Sequence, residues 1–369
     1  MKRGKKNPDI QIILIPHQYL LSRAEWLASG ISKMIQADLI VIRHLKMRPI
    51  LAFPMYNTMA LFSILSRRKR YTVVLVFNFI VFPILHLLKR IGLVNFLVYD
   101  DADYLPAFSR GVWRSLTSLL ENMTVSRSDA VVSASGILAS LRKKRNRRVY
   151  VVENGVSGCL CGDSEITSST DRCNFVYVGN IDFRYAHLDV IIRAVRGSEV
   201  LGNANFYIIG SGSDLRNLMN LASNMNNITF LYSKGPYELA CILRKATFGL
   251  APYNLKGHSF YGDPLKIKEY LASGLCPIVS NVKSIIRFLN EMDCSYYVIR
   301  DPTDEEEVRS VLENAYRDCL CGREDIRGKM RLASVRVCDR YSWIKLSSRY
   351  VRVISELTMG INGGGRGNG

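Results

Sequence analysis

Acidic residues are scarce at the front of this chain: the first 150 residues carry 8 Asp/Glu against 24 Lys/Arg, so +16 of the formal net charge of +18 lies there. A half this short of carboxylates is not a charge-balanced surface. It points to an anionic counterpart, either a membrane surface with phosphorylated lipids or a nucleic acid, with a merely soluble basic face as the plainer alternative. Arg67-Arg68-Lys69-Arg70 and Arg142-Lys143-Lys144-Arg145 with Arg147-Arg148 carry much of the excess. The half also lacks any nucleic-acid-binding motif or aromatic interleaving, so nucleic acid is not the expected partner.

Uninterrupted apolar runs of membrane-spanning length are missing as well. Tyr71–Leu88 comes nearest, but Asn78, Pro83 and His86 break it, so the stretch reads as a strand, Val73–Phe77, and a helix, Pro83–Arg90, with the proline in the permitted first turn. Low-complexity sequence is confined to Gly360–Gly369, which excludes a largely disordered chain. No signal-peptide pattern opens the sequence, and the nine cysteines lie mostly in apolar or irregular contexts; the expectation is a reducing, cytoplasmic setting. Two Cys-Leu-Cys-Gly copies, Cys159/Cys161 and Cys319/Cys321, offer four thiols, yet Cys-x-Cys is not the usual Cys-x2-Cys zinc knuckle and no metal site is expected.

What is present is α/β in character. At 369 residues the chain has room for two domains with separate cores. Short apolar runs at Gln11–Ile15, Leu39–Ile42, Phe96–Tyr99, Asp129–Ser133 and Val149–Val152 read as buried parallel strands of a first domain. Ser157 to Asp171, rich in Gly, Ser, Thr and Asp without apolar periodicity, reads as a linker. Asn174–Val178 opens the second domain and ends at Gly179, where backbone could approach a ligand closely. Gly210-Ser211-Gly212 follows another strand, but it completes no dinucleotide fingerprint.

Two stretches carry chemistry. In Tyr261–Asn281, Gly262-Asp263-Pro264 leads into LKIKEYLASG, a short helix closed by Ser273-Gly274 and followed by the strand Cys276–Ser280. The helix starts with unpaired N–H groups and a positive dipole end, suited to phosphate, with Lys266 in the first turn. Glu269, three residues on, shares its face and could accept hydrogen bonds from sugar hydroxyls. The second stretch, Asp100-Asp101-Ala102-Asp103-Tyr104, closes a strand of the first domain, the end at which open α/β sheets bind ligands. Mutual crowding would raise a carboxylate there towards useful basicity, while helix capping and solvation are the alternative.

The order Pro264-Leu265-Lys266-Ile267, Glu269–Gly274, Pro277-Ile278-Val279 resembles the donor-site helix of GT-B glycosyltransferases of the family-four-like group. That resemblance implies two Rossmann-like domains facing across a cleft. It also implies a nucleotide-diphosphate sugar as donor substrate and no separate cofactor, with Pro264, Leu265 and Lys266 at the diphosphate and Glu269 at the ribose. Tyr99-Asp100-x-x-Asp103 resembles an element of related enzymes and makes Asp103 the candidate general base, with Asp101 behind it. Ser233-Lys234-Gly235-Pro236 resembles the family's base-binding turn, so Lys234 is a donor contact. Arg184 occupies a position where related enzymes direct a basic residue to the diphosphate, a surface arginine being the alternative; His258, in the loop before the helix, is a candidate donor contact, with an incidental loop histidine as the alternative. The glutamate that many members carry eight residues before Glu269 is here Tyr261, a departure at the donor-sugar position.

The expected layout is an acceptor-side domain over 1–156, a linker over 157–172, a nucleotide-sugar domain over 173–340, a helix over 341–358 crossing back to the first domain, and a disordered tail over 359–369. The expected activity is metal-independent transfer of a sugar to a hydroxyl of a lipid-linked or cell-envelope glycan. The expected place is cytoplasmic, peripheral at the inner face of the cell membrane. A nucleotide-sugar epimerase or phosphorylase on the same fold, and a non-catalytic basic nucleic-acid-binding protein, are the rival readings.

Overall fold

The structure is a computed structural model, which describes residues 10–14, 21–35, 37–41, 49–66, 71–77, 79–109, 111–161, 173–232, 235–255, 261–322 and 324–363. The chain divides into two units, one comprising Met1–Asn154, Tyr261–Asp263 and Trp343–Gly369 and the other Gly155–Phe260 and Pro264–Ser342.

The first unit is a parallel sheet of β1 (Ile10–Leu14), β2 (Ala37–Val41), β3 (Tyr71–Val76), β4 (Val94–Asp101), β5 (Ala130–Ser133) and β6 (Val149–Val151), in the order β2-β1-β3-β4-β5-β6. An all-parallel sheet must be covered on both faces, and alternation along each strand divides the core in two. Val73, Leu75, Val98 and Val132 pack with α1 (Leu21–Met34) and the last helix of the chain. Val74, Val76 and Leu97 pack with α2 (Pro49–Leu65) and α3 (Phe82–Arg90). Between β4 and β5 runs α4 (Gly111–Arg127), and between β5 and β6 runs α5 (Gly136–Lys143). Ser135 caps α5 by accepting from Leu138 N–H at 3.1 Å. No helix among the described residues is long and apolar enough to cross a membrane.

The second unit holds β7 (Asn174–Val178), β8 (Asn205–Ile209), β9 (Ile228–Leu231), β10 (Phe248–Ala251), β11 (Cys276–Ser280) and β12 (Tyr297–Ile299), all parallel. Their order, β12-β11-β10-β7-β8-β9, reverses between β7 and β10. That reversal is the point at which the crossover helices change face and a crevice opens at the carboxyl ends of the strands. The connecting helices are α6 (Leu188–Arg196), α7 (Leu215–Leu221), α8 (Pro236–Leu243), α9 (Leu265–Ala272) and α10 (Lys283–Glu291). After β12 come α11 (Glu305–Leu320), α12 (Glu324–Tyr341) and α13 (Trp343–Gly363). Trp343, Leu346, Tyr350 and Ile354 of α13 join the core of the first unit.

The cysteines depart from the expectation of free thiols. Cys161 pairs with Cys338 of α12 and Cys173 with Cys319 of α11, so the two Cys-Leu-Cys-Gly copies do not converge on a metal; each gives one cysteine to a different disulfide. Cys159 and Cys321 stay free.

Candidate functional site

The site of the second unit is built where β7 and β10 part. Their pairing covers only Phe248 with Phe175 and Gly249 with Val176. Beyond it the hydroxyl of Tyr270, on α9, accepts from Val178 N–H at 3.0 Å and donates to the Leu250 carbonyl at 3.0 Å. One buried side chain thus replaces the ladder at the fork and satisfies two backbone groups that would otherwise lack partners. The ring fits because residue 249 is glycine: a Cβ there would come within 2.3 Å of the Tyr270 ring. In the sequence Tyr270 reads as one more apolar position of the helix LKIKEYLASG, and its role at the fork is not apparent from that. A glycine in the middle of a four-residue strand was the available signal.

Gly179 closes β7 at φ +142° and Gly210 closes β8 at φ +148°, with the backbones so near that a Cβ on Gly210 would lie 1.9 Å from the Gly179 carbonyl oxygen. Only glycine tolerates both the conformation and the approach. A Cβ on Gly179 would sit 2.9 Å from Lys266 Nζ, so the residues expected at the donor meet directly. Lys266 Nζ also lies 4.3 Å from the ring centroid of Tyr177 and 4.9 Å from that of Tyr253. The ammonium is therefore held by aromatic faces. Burial pushes Lys266 down to about 7, against the pull of Glu269, and the same desolvation pushes Glu269 up to about 7. Pro264 precedes α9 and Leu265 opens it, half-buried; the Pro264 carbonyl accepts from Ile267 and Lys268 N–H, leaving the first-turn N–H groups of Leu265 and Lys266 outside the helical ladder.

Arg184 is less free than expected. It forms an ion pair with Asp182, donating through Nε at 2.8 Å, and Asp182 also accepts from Arg184 N–H at 3.0 Å. That pairing holds the Asp182 carboxyl below its ordinary range. The turn bearing Arg184 is stitched to the segment after β10 by Asn254 N–H to the Tyr185 carbonyl at 3.0 Å and by a bridge between Ala186 and Tyr253. Lys234 and His258 lie outside the described residues.

In the first unit the carboxylates expected at the end of β4 fall into three environments. Asp100 faces α1 and α13: Arg23 grips it through Nε and Nη2, each at 3.0 Å, and the Tyr350 hydroxyl donates at 3.1 Å. Asp101 faces the opposite side, where Arg142 of α5 donates Nε at 2.8 Å and Nη2 at 3.0 Å, and Ser133 Oγ donates at 3.2 Å. Arg142 also lies 2.8 Å from Glu121 of α4, which burial pushes up to about 7. Arg142, read from sequence as part of an exposed basic run, is thus fully buried, because α5 turns Leu138, Ala139 and Arg142 to one side. Both oxygens of Asp101 are engaged. Asp103 lies past the strand end, half-buried and without an ion-pair partner among the described residues. Burial and the neighbouring Asp101, Asp100 and Asp263 carboxylates push it up to about 6, with Arg23 opposing.

The residues just before α9 belong to this unit. Ser135 Oγ donates to the Tyr261 carbonyl at 2.5 Å, Asn154 N–H donates to Asp263 at 2.7 Å, and the rings of Tyr261 and Tyr104 lie 4.6 Å apart. Tyr261, standing where the family glutamate is usual, is held by backbone and ring contacts alike.

Residues 172–318 match the sequence model of the family described as Glycosyl transferases group 1. No curated protein sequence matches the chain. Among solved structures, sucrose-phosphate synthase from Thermosynechococcus elongatus superposes with a TM-score of 0.74 at 15% identity, over 96% of this chain and 100% of that one. WaaG, a glycosyltransferase involved in lipopolysaccharide biosynthesis, gives 0.68 at 14% identity over 94% and 99%. HepE from Anabaena, solved with UDP and glucose, gives 0.70 at 11% identity over 94% and 99%. The likenesses establish the GT-B fold, two Rossmann-like domains, and the matched residues 172–318 lie in the second of them.

Proposed function

We propose that this GT-B chain is a glycosyltransferase that moves a sugar from a nucleotide-diphosphate donor to a hydroxyl of a lipid-linked or cell-envelope glycan. The observation that carries the reading is Lys266. It stands on the first turn of α9, at the fork of β7 and β10, with its Nζ in the space that a side chain at Gly179 would fill. Its ammonium and the first N–H groups of α9 would receive the diphosphate, and Glu269 on the same face would hold the ribose. HepE, which shares the fold and was solved with UDP and glucose, supports a nucleotide-sugar donor by that likeness.

In the reaction the acceptor oxygen bonds to the anomeric carbon as the carbon–phosphate-oxygen bond breaks, and the diphosphate leaves with the electron pair. Lys266 and the helix N-terminus offset that growing charge, the role a metal ion would otherwise fill, so transfer is metal-independent in this reading. Asp103 takes the acceptor proton, because it is the carboxylate of its cluster that is not committed to an arginine and burial pushes it up to about 6. The excess of basic residues in the first 150 supports work at an anionic membrane surface.

Thermal-shift screening against UDP-, GDP-, ADP- and dTDP-sugars tests the donor assignment. A ligand at 100 times its dissociation constant adds about 2.7 kcal/mol of stability. One nucleotide sugar should raise the melting temperature, and the same compound should turn over with a lipid-linked acceptor. No shift with any nucleotide or nucleotide sugar would refute the reading.

A further inference from the structure

Helix α4 is built inside out. Its inward side consists of Glu121, Thr124 and Val125, the first of them in the ion pair with Arg142. Its outward side carries Val112, Leu116 and Leu119, which lie within about 60° of one another around a helix of 3.6 residues per turn. Val112 is 84% exposed and Leu119 57%, with Trp113 at the flank 49% exposed. A helix of a globular unit turns its apolar stripe inward; a contiguous apolar stripe left in water marks an interaction surface. The pattern does not stop at α4. Helices α3 and α4 both pack on the 3-10 turn Phe79–Val81, and Leu87 of α3 and Ile91, which caps it, are exposed beside Arg90. Exposed Arg127 ends α4 on the side of the apolar stripe.

We infer that the outward face of α4, extended by α3, is the surface by which this chain docks on an anionic lipid bilayer, with Val112, Trp113, Leu116 and Leu119 entering the interface. The lipid is favoured over a second copy of the chain by charge. The unit bearing this face carries the basic excess of the first 150 residues, which repels its own kind and is drawn to acidic headgroups. A tryptophan beside aliphatic residues, with arginines at the margin, suits the boundary between headgroup and acyl chain. The inference rests on the proposed function only in that a lipid-linked acceptor would explain why the enzyme is held there.

The test is co-sedimentation of the full chain with vesicles of phosphatidylcholine alone and of phosphatidylcholine mixed with phosphatidylglycerol. Wild type should bind the mixed vesicles, its emission should shift to the blue, and brominated lipid should quench it; Trp113→Phe should lose the quenching. The double substitution Leu116→Glu with Leu119→Glu should weaken partitioning by about a hundredfold or more, since burying each leucine is worth at least a factor of about ten. Unchanged far-ultraviolet circular dichroism and UDP affinity show that the variant is folded. Equal partitioning of variant and wild type, or absence of quenching by brominated lipid, overturns the inference. So does a wild-type dimer in sedimentation velocity that the variant splits while vesicle binding persists. Vesicle binding without affinity for any nucleotide would instead sink the proposed function and leave this docking face standing.

Discussion

Replacing Tyr270 by phenylalanine tests the fork between β7 and β10 without needing a substrate. The ring would keep its place against Gly249, so the change is confined to one hydroxyl. That hydroxyl serves two backbone groups, Val178 N–H and the Leu250 carbonyl, each at 3.0 Å. Orphaning a buried polar group costs about 1–3 kcal/mol, so the pair predicts about 2–6 kcal/mol, nearer the lower figure because Val178 is only half-buried. Urea unfolding followed by near-ultraviolet circular dichroism reads the loss as a lower midpoint at constant slope. Tyr270 also sets the opening beside Lys266, so nucleotide affinity should fall with stability. A loss below about 0.5 kcal/mol, the range of ordinary surface substitutions, would show that the hydroxyl does not hold the fork.

Three further outcomes are expected. Asp103→Asn should lower kcat by about 10²–10⁴ with donor affinity near wild type, and wild-type kcat should rise with pH through about 6 as the carboxyl loses its proton; turnover within a few-fold of wild type removes Asp103 from the reaction. Arg142→Ala leaves Asp101 and Glu121 buried without their cation and should destabilise by about 3–5 kcal/mol in chemical denaturation, whereas an exposed arginine would cost almost nothing. The two disulfides close loops with sequence separations of 177 and 146 residues, so by loop entropy each is worth about 5 kcal/mol against the reduced unfolded chain. Dithiothreitol should therefore lower the melting temperature markedly, and an unchanged melting curve with all nine thiols titratable would contradict the pairing.

Much of this was legible from the chain itself. Apolar runs of four to six residues marked the buried parallel strands, and the helix from Leu265 with its glycine stop at Gly274, φ +80°, was readable residue by residue. Contacts between residues far apart in the chain hid the rest. Side chains that satisfy distant backbone look apolar in sequence, as Tyr270 did. Arg142 looked exposed because charge count outweighed position, although its spacing of four from Leu138 put it on the inward side of α5. Asp100 and Asp101, adjacent in sequence, go to opposite sides of the sheet by strand alternation, and only their arginine partners, 77 residues before one and 41 after the other, show that both are committed. Disulfides between cysteines more than a hundred residues apart follow from the fold alone.

Calorimetric titration of a nucleoside diphosphate into wild type and Lys266→Ala bears most directly on the claim that α9 receives the donor. Losing one charge-assisted contact to phosphate should cost about 1.5–3 kcal/mol, or roughly 10- to 100-fold in affinity. Because Lys266 is pushed down to about 7 in the free protein, it is largely neutral at pH 8 and must gain a proton as phosphate arrives. Wild type should therefore take up protons on binding at pH 8, with affinity declining as pH rises above about 7, and Lys266→Ala should lose both effects while keeping its fold. Equal affinity in the two proteins, with no proton uptake in either, would contradict the account.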